Sequence, residues 1–263
     1  MENILVTGAV GGMGKALCEL LTQNGYRIMG MDLKTGSIPD VHYYEADLTD
    51  SESVEDAYQR ISAETDHLDA IIHTAGIYDL NSLVEMSEDE IRKIFEVNLF
   101  GVYRINKVFL PLLRKGSRII ITTSELAPLD PLPFTGIYAV TKAALEKYAY
   151  SLRMELNLLG ISVSVIRPGA VQTDLLGVST AALDRFCETT ENYRCNADRF
   201  RKIVNGVEAK AVSPRKIAET VLMAIKAKRP RYVYGINRNP LLLMLNALPK
   251  RMQVWIISQI LKT

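Results

Sequence analysis

The chain has 263 residues, 48% of them hydrophobic and 23% charged, and its formal net charge is +1 at pH 7. This length suits one large α/β domain or two small ones, and the near-neutral charge gives no basic surface for a nucleic-acid partner. Three cysteines without zinc-ligand spacing predict neither a disulfide framework nor a metal site, and the lack of a signal peptide or long apolar run predicts a cytoplasmic protein.

The first elements form a strand, a glycine-rich turn, an amphipathic helix and a second strand. Residues 3–6 are apolar and predict a strand buried on both faces, and residues 26–31 predict the second strand. Glycines let the backbone approach a pyrophosphate, and the helix N-terminus offers free N–H groups. Asp32 can accept hydrogen bonds from both ribose hydroxyls of NAD and would repel the 2′-phosphate of NADP. This unit predicts a dinucleotide site that favours NAD.

The glycine turn has the spacing Thr-Gly-x-x-x-Gly-x-Gly, which starts at Thr7. In this spacing the chain resembles the short-chain dehydrogenase/reductase family. Members that use NADP often carry a basic residue just before the second glycine, where this chain has Gly11, so the resemblance also favours NAD. It implies cofactor contacts by Gly8, Gly11, Gly12, Met13 and Gly14.

The next predicted elements are a strand, a helix and a strand, over residues 41–46, 51–65 and 68–72. Asp47 and Leu48 match the pair with which the family contacts the adenine. Ala75 and Gly76 match the end of the family's Asn-Asn-Ala-Gly segment, which lines the cofactor cleft. His73 replaces the first asparagine, and we interpret it as a packed or hydrogen-bonded side chain rather than a catalytic one.

A capping box of Ser87 and Glu90 predicts the start of a long helix. Asn98 lies within this helix, where an asparagine is locally unfavourable. The segment around Asn98 resembles the family's asparagine segment. The resemblance implies that Asn98 holds a water molecule that links the catalytic lysine to solvent.

A buried strand over residues 118–124 ends in hydroxyl side chains. Open α/β sheets bind ligands at the carboxyl ends of their strands. The resemblance implies that Ser124 hydrogen-bonds the substrate oxygen, although it lies fourteen residues before Tyr138 and the usual family gap is thirteen. Thr123 is the alternative, and Glu125 has the usual spacing but the wrong chemistry.

Tyr138 and Lys142 lie four residues apart on a predicted helix over residues 138–157, and so share one face. An ammonium beside a phenol stabilises the phenolate, so we expect the pKa of Tyr138 to lie below its usual value of about 10. Such a phenol can exchange a proton with a carbonyl or an alcohol. The resemblance implies that Tyr138 is the acid/base and that Lys142 also holds the nicotinamide ribose.

A strand over residues 161–166 precedes a segment that resembles the family's Pro-Gly-x-x-x-Thr motif. The resemblance implies that this segment binds the nicotinamide carboxamide, through Pro168, Gly169, Val171 and Thr173. Residues 175–212 correspond to the family's substrate lid. Their aromatic side chains suggest an apolar substrate, and their arginines either form a solvated helix face, which we favour, or meet an anionic group.

Residues 213–226 predict a helix and residues 231–234 a last strand, after which the chain continues. This tail resembles the extended C-termini of steroid- and retinol-dehydrogenase-like members. It could close the substrate pocket or pack on a partner, which we favour, or contact a membrane surface through residues 240–262.

We therefore expect an α/β fold: a single doubly wound, Rossmann-type domain over residues 1–235, with a mostly parallel sheet of about seven strands flanked by helices. Residues 236–263 should form a helical extension of it. The resemblance implies an NAD-dependent oxidoreductase that interconverts a secondary alcohol and a ketone on a steroid, bile acid, retinoid or fatty 3-oxo substrate. It also implies a homodimer or homotetramer. The alternatives are a non-catalytic NAD(H) sensor or scaffold and, less favoured, a sugar-nucleotide epimerase.

Overall fold

The computed structural model describes residues 2–208 and 210–262, without the side chains of residues 174–180 and 207–208. Its described residues contain a sheet of seven strands in the order β3-β2-β1-β4-β5-β6-β7, in which every neighbouring pair is parallel. The strands are β1 (Asn3–Thr7), β2 (Arg27–Asp32), β3 (Val41–Glu45), β4 (Leu68–His73), β5 (Leu113–Thr122), β6 (Ser162–Pro168) and β7 (Val233–Ile236). The order reverses beside β1, which confirms the predicted doubly wound α/β fold.

Helices cover both faces of the sheet. They are α1 (Gly12–Gln23), α2 (Ser51–Glu64), α3 (Glu88–Phe95), α4 (Gly101–Phe109), α5 (Gly136–Asn157), α6 (Asp174–Thr189), α7 (Arg194–Glu208), α8 (Pro214–Lys226), α9 (Pro240–Asn246) and α10 (Lys250–Leu261). Most predicted boundaries agree within two residues. However, β5 begins earlier than predicted, at Leu113, because a register shift between Leu68 and Ala70 lets its first residues pair with β4.

The core lies on the two faces of β1, which is buried along its whole length as predicted. Side chains alternate along a strand, so Ile4 and Val6 pack with α1 and α8 while Leu5 packs with α2 and α4. Full burial of such a side chain contributes about 1.5–3 kcal/mol. The helices therefore hold the carboxyl ends of β1, β4, β5 and β6 side by side.

The predicted long helix after Ser87 runs without a break from Glu88 to Phe109, but it is not α-helical throughout. Its capping box is confirmed, because the Ser87 hydroxyl accepts from the Glu90 N–H at 3.2 Å and the Glu90 carboxylate accepts from the Ser87 N–H at 2.8 Å. Between α3 and α4, however, a π-helical turn spans Glu96–Phe100. Such wide turns are frequent at functional sites. Here the turn places the amide of Asn98 against the backbone of Ile77.

The helices α6 and α7 have a small core of their own. The Phe134 ring lies 4.5 Å from that of Phe186 and 5.0 Å from those of Tyr193 and Phe200, measured between centroids. The expectation that these lid aromatics face a substrate is therefore wrong for Phe186 and Tyr193. They bury apolar area against other rings instead, which stabilises the two helices.

Two arginines of α6 and α7 form ion pairs with carboxylates of the protein itself. Arg185 forms an ion pair with Asp79 at 2.5 Å, and Arg201 forms one with Asp184 at 3.6 Å. The guanidinium groups of Arg185 and Arg201 are partly exposed at the protein surface. Their pairing agrees with the favoured interpretation of a solvated helix face.

The C-terminal helices are tied to the loop before α5. Asp130 accepts from the Gln253 amide at 2.9 Å, donates its N–H to Asn246 at 2.8 Å and forms an ion pair with Lys250. At the other end of α10, the Asn196 amide donates to the Leu261 carbonyl at 2.6 Å. None of the helices in the described part of the chain combines the length and apolarity needed to cross a bilayer.

Candidate active site

A cavity of about 230 Å³ opens at the carboxyl ends of the central strands. It lies where the order of the strands reverses, which is the usual ligand site of such sheets. The predicted site residues that line it come from five separate segments of the chain: Met13, Gly76, Ser124, Tyr138, Lys142, Pro168, Gly169, Val171 and Thr173. The tertiary structure thus brings the predicted catalytic residues and the predicted nicotinamide segment to one place.

The glycine turn after β1 packs against the same region. Gly8 has a φ of +71°, and a Cβ there would lie 2.5 Å from the Ala75 nitrogen. A Cβ on Gly14 would lie 2.0 Å from the Gly8 carbonyl oxygen, and one on Gly12 would lie 2.7 Å from the Thr173 Cβ. Only residues without a side chain allow this packing. It joins the turn to the segment after β6.

Gly11 is the N-cap of α1, and no side chain caps this helix. The first turn of α1 also contains no acidic residue. Its N–H groups and the positive end of the helix dipole are therefore available to an anion, such as a pyrophosphate.

Asp32 is the last residue of β2 and lies beside this turn. Asp47 follows β3. The Asp32 carboxylate accepts from the Val10 N–H at 2.9 Å and from the Leu33 N–H at 2.8 Å, so it is held against the glycine turn. Asp47 accepts from the N–H and the hydroxyl of Thr49, at 2.8 and 2.7 Å. Leu48 is buried beside it. Both carboxylate oxygens of Asp32 thus accept from backbone N–H groups, whereas Asp47 is engaged in a local turn.

The extra residue between Ser124 and Tyr138 does not keep them apart. The Ser124 side chain lies close enough to Tyr138 to act toward a lower pKa of its phenol, and its oxygen accepts from the Leu126 N–H at 3.2 Å. The hydroxyl of Thr123, the alternative residue, donates instead to the Ile166 carbonyl at 3.2 Å. Ser124 is therefore the residue that the loop after β5 presents to Tyr138.

Lys142 lies one turn after Tyr138 on α5. Its ammonium donates to the Thr122 carbonyl at 3.2 Å and lies 5.7 Å from the centroid of the Tyr138 ring. Burial lowers the pKa of Lys142 to about 8. The ammonium is thus buried next to the phenol, as the spacing predicts.

The expected fall in the pKa of Tyr138 is wrong for this structure. Burial raises the pKa to about 12, although the hydrogen bond to Ser124 acts in the opposite direction. The free-energy cost of removing the phenolate from water exceeds the stabilisation that the neighbouring groups give it. Lys142 gives little stabilisation, because its ammonium faces the ring and donates to the Thr122 carbonyl. At neutral pH Tyr138 is a protonated phenol, ready to donate.

Asn98 hydrogen-bonds to two segments next to the cavity. Its oxygen accepts from the Ile77 N–H at 2.8 Å, and its nitrogen donates to the Ile77 carbonyl at 3.0 Å and to the Thr141 hydroxyl at 3.1 Å. The amide therefore fixes the backbone next to Gly76. A Cβ on Gly76 would lie 3.4 Å from the Lys142 ammonium, so this backbone forms one wall of the lysine's pocket.

His73 is a hydrogen-bonded core residue, as predicted. Its Nε2 lies 2.9 Å from the Asn106 amide oxygen, and burial lowers its pKa to about 4. Because the Asn106 amide oxygen is an acceptor, Nε2 carries the hydrogen. His73 is thus neutral near pH 7 and packs beneath the site.

We predict that His73 makes the protein less stable in acid. The unfolded chain binds a proton on His73 below about pH 6.5, whereas the folded protein does so only near pH 4. The stability is therefore complete above pH 6.5 and falls by roughly 3 kcal/mol as the pH drops to 4. Urea unfolding of the wild type and of His73→Asn across this range measures the difference. Equal pH slopes for the two proteins would contradict the prediction.

Two features of the site were missed in the sequence. Arg167 donates to Glu146 at 2.9 Å, and this half-buried ion pair links α5 to β6 just before Pro168. The spacing of Glu146 four residues after Lys142 was the available signal, since both lie on one helix face. Leu242 of α9 also lines the cavity. No local pattern distinguishes Leu242 from the other leucines of the tail.

Comparisons with known proteins agree with this geometry. The sequence model of the short chain dehydrogenase family matches residues 2–184. A 3-ketodihydrosphingosine reductase of Bacteroides thetaiotaomicron is 29% identical, over 88% of this chain and 86% of its own. Estradiol 17-beta-dehydrogenase 2 of Mus musculus is 28% identical, over 90% of this chain and 68% of its own.

A solved structure has the same fold. A short chain dehydrogenase family protein from Francisella tularensis superposes with a TM-score of 0.75 and 25% identity, over 90% of this chain and 97% of its own. The family match covers well over half of the chain. The protein therefore belongs to the short-chain dehydrogenase/reductase family, and it is an oxidoreductase that acts on CH–OH groups with NAD(P)(H).

Proposed function

We propose that the protein interconverts a secondary alcohol and a ketone on a hydrophobic substrate, with NAD(H) as its cofactor. The observation that carries this proposal is that Ser124, Tyr138 and the buried Lys142 line a single cavity. These are the groups that polarise a carbonyl and exchange a proton with it.

The residues around the cavity fit a dinucleotide. The uncapped N-terminus of α1 would hold the pyrophosphate, Asp32 the adenosine ribose, and the segment 168–173 the nicotinamide. When bound, the cofactor supplies or accepts the hydride.

The chain's own groups handle the proton and the charge. In ketone reduction Ser124 donates a hydrogen bond to the substrate oxygen, and Tyr138, a phenol at neutral pH, donates its proton to it. Lys142 stabilises the phenolate that remains. Asn98 fixes the wall beside Lys142, and we propose that a water held in this region returns the proton from solvent.

The preference for NAD rests on Asp32. Its carboxylate would repel a 2′-phosphate, so Asp32→Asn should lower the ratio of the NADPH to the NADH dissociation constant by about tenfold. The asparagine oxygen can still accept from Val10, which preserves the turn. Titration of both cofactors measures the ratio, and Asp40→Asn, an exposed acid outside the site, is the control. An unchanged ratio in Asp32→Asn would assign the preference elsewhere.

The apolar substrate is supported by the walls of the cavity. Beyond the catalytic groups they are formed largely by hydrocarbon side chains: Ile77, Leu126, Leu132, Phe200, Ile203, Val204 and Leu242. One of the two relatives is named for 3-ketodihydrosphingosine and the other for estradiol. Leu242 supports the proposal that the tail closes the pocket.

We also propose that the protein forms a homo-oligomer through α4 and α5. Tyr103, Tyr150 and Met154 of these helices are 44%, 51% and 55% exposed. Large apolar side chains on two adjacent helices favour contact with a second copy.

Fluorescence titration with NADH and NADPH, followed by a panel of hydrophobic ketones, tests the function. We expect tighter NADH binding and oxidation of NADH by at least one ketone. Binding without turnover on any ketone would favour the sensor or scaffold. The intact set of Ser124, Tyr138 and Lys142 argues against that alternative.

A further inference from the structure

Glu125 places a carboxylate in this largely apolar cavity. It directly follows Ser124, is 7% exposed and lines the cavity. Its N–H donates to the Pro168 carbonyl at 2.8 Å, which fixes its backbone against the strand that carries the nicotinamide segment. The mechanism proposed above does not use this side chain.

The carboxylate of Glu125 is only partly compensated. One oxygen, Oε2, accepts from the Asn239 N–H at 2.6 Å. The other, Oε1, lies 3.0 Å from where a Cβ on Gly169 would be and accepts no hydrogen bond from the described residues. No arginine, lysine or histidine among those residues forms an ion pair with Glu125, and the nearby Arg238 is exposed.

Burial of this carboxylate carries a desolvation cost that its neighbours offset only in part. Burial raises the pKa of Glu125, while the Asn239 N–H and the Arg238 charge act against this rise. Buried charges in proteins are normally paired with an opposite charge. A cationic group on a ligand would form a charge-assisted hydrogen bond with the carboxylate and so strengthen binding.

We propose that Glu125 binds an ammonium group of the substrate, so that the substrate is an amphiphilic amino ketone with a long apolar chain. This inference rests on the proposed function. Ser124 and Glu125 are adjacent in the chain and both line the cavity, so one substrate can contact both residues. We therefore place the amine at the same polar end of the substrate as the carbonyl. The apolar walls of the cavity then contact the hydrocarbon chain of the substrate.

A purely structural role for Glu125 makes a different prediction. Its bond to Asn239 could simply anchor the N-terminus of α9. Glu125→Gln distinguishes the two roles, because its side-chain oxygen still accepts from the Asn239 N–H but carries no charge. Asp130→Asn is the matched control, since Asp130 also bonds to the C-terminal helices but does not line the cavity.

The test compares 2-aminooctadecan-3-one with octadecan-3-one, which lacks only the amine, in steady-state assays with NADH and with NADPH. We expect wild type and Asp130→Asn to show a kcat/KM about tenfold to a hundredfold higher for the amino ketone. Glu125→Gln should lose this preference through a higher KM for the amino ketone, with turnover of octadecan-3-one unchanged.

The outcomes separate this inference from the proposed function. Equal turnover of both ketones by the wild type, or a preference that survives in Glu125→Gln, would overturn the role of Glu125 and leave the oxidoreductase proposal intact. Failure of the wild type to reduce any ketone with either cofactor would overturn both. The wild-type comparison needs no variant, so the inference stays testable if Glu125→Gln does not fold.

Discussion

Tyr138→Phe should lower kcat about a hundredfold to ten-thousandfold, because it removes the group that exchanges a proton with the substrate oxygen. Tyr138 is the phenol that lines the cavity beside Ser124. The ring and its packing against Tyr78, at 4.6 Å between centroids, remain in the variant. Binding of NADH should therefore change little, so the loss should fall on kcat and not on the cofactor's dissociation constant.

Steady-state kinetics and a fluorescence titration with NADH measure the two quantities on the same preparation. Tyr150→Phe is the matched control, since Tyr150 lies on the same helix but is 51% exposed. It should retain wild-type kcat. Normal turnover by Tyr138→Phe would show that another group, or water, supplies the proton.

Gly14→Ala should lower the free energy of unfolding by about 4 kcal/mol or more, which is exceptional for the addition of one methyl group. The new Cβ would lie 2.0 Å from the carbonyl oxygen of Gly8 and 2.9 Å from the Ala9 Cα. Both atoms belong to the backbone of the glycine turn, so neither can rotate away. The turn must shift, and nucleotide binding should be lost with it.

Gly11→Ala is the control for this prediction, because the nearest atom to its added Cβ is 3.5 Å away, an ordinary contact. We expect a change in unfolding free energy within about 1 kcal/mol, the size of a less favourable helix N-cap. Urea unfolding followed by circular dichroism compares the two variants. Similar stabilities for them would show that the turn is more plastic than its packing suggests.

Local patterns in the sequence predicted most of the framework of the site. The short run of apolar residues predicted β1, and the glycine spacing with Asp32 predicted the turn beside it. The spacing of Tyr138 and Lys142 placed them on one helix face. These predictions succeed because each depends on residues close together in the chain, where strand and helix geometry fix the directions of side chains.

Other predictions failed because they depended on what surrounds a residue. The direction of the pKa change at Tyr138 is decided by burial, which no spacing reveals. The rings of Phe186 and Tyr193 found a partner in Phe134, which lies far away in the chain. The π-helical turn at Asn98 accompanies hydrogen bonds to Ile77, across another loop.

The sequence alone determined the family, through its motifs, and the doubly wound fold, through its short-range periodicity. The tertiary structure alone decided which atoms face the cavity. It engaged the Thr123 hydroxyl with the Ile166 carbonyl, placed Ser124 beside Tyr138 and buried the Glu125 carboxylate among apolar walls. Desolvation and pairing depend on every neighbouring segment at once, so the charge state of the site and the chemistry it selects emerge only when the chain is folded.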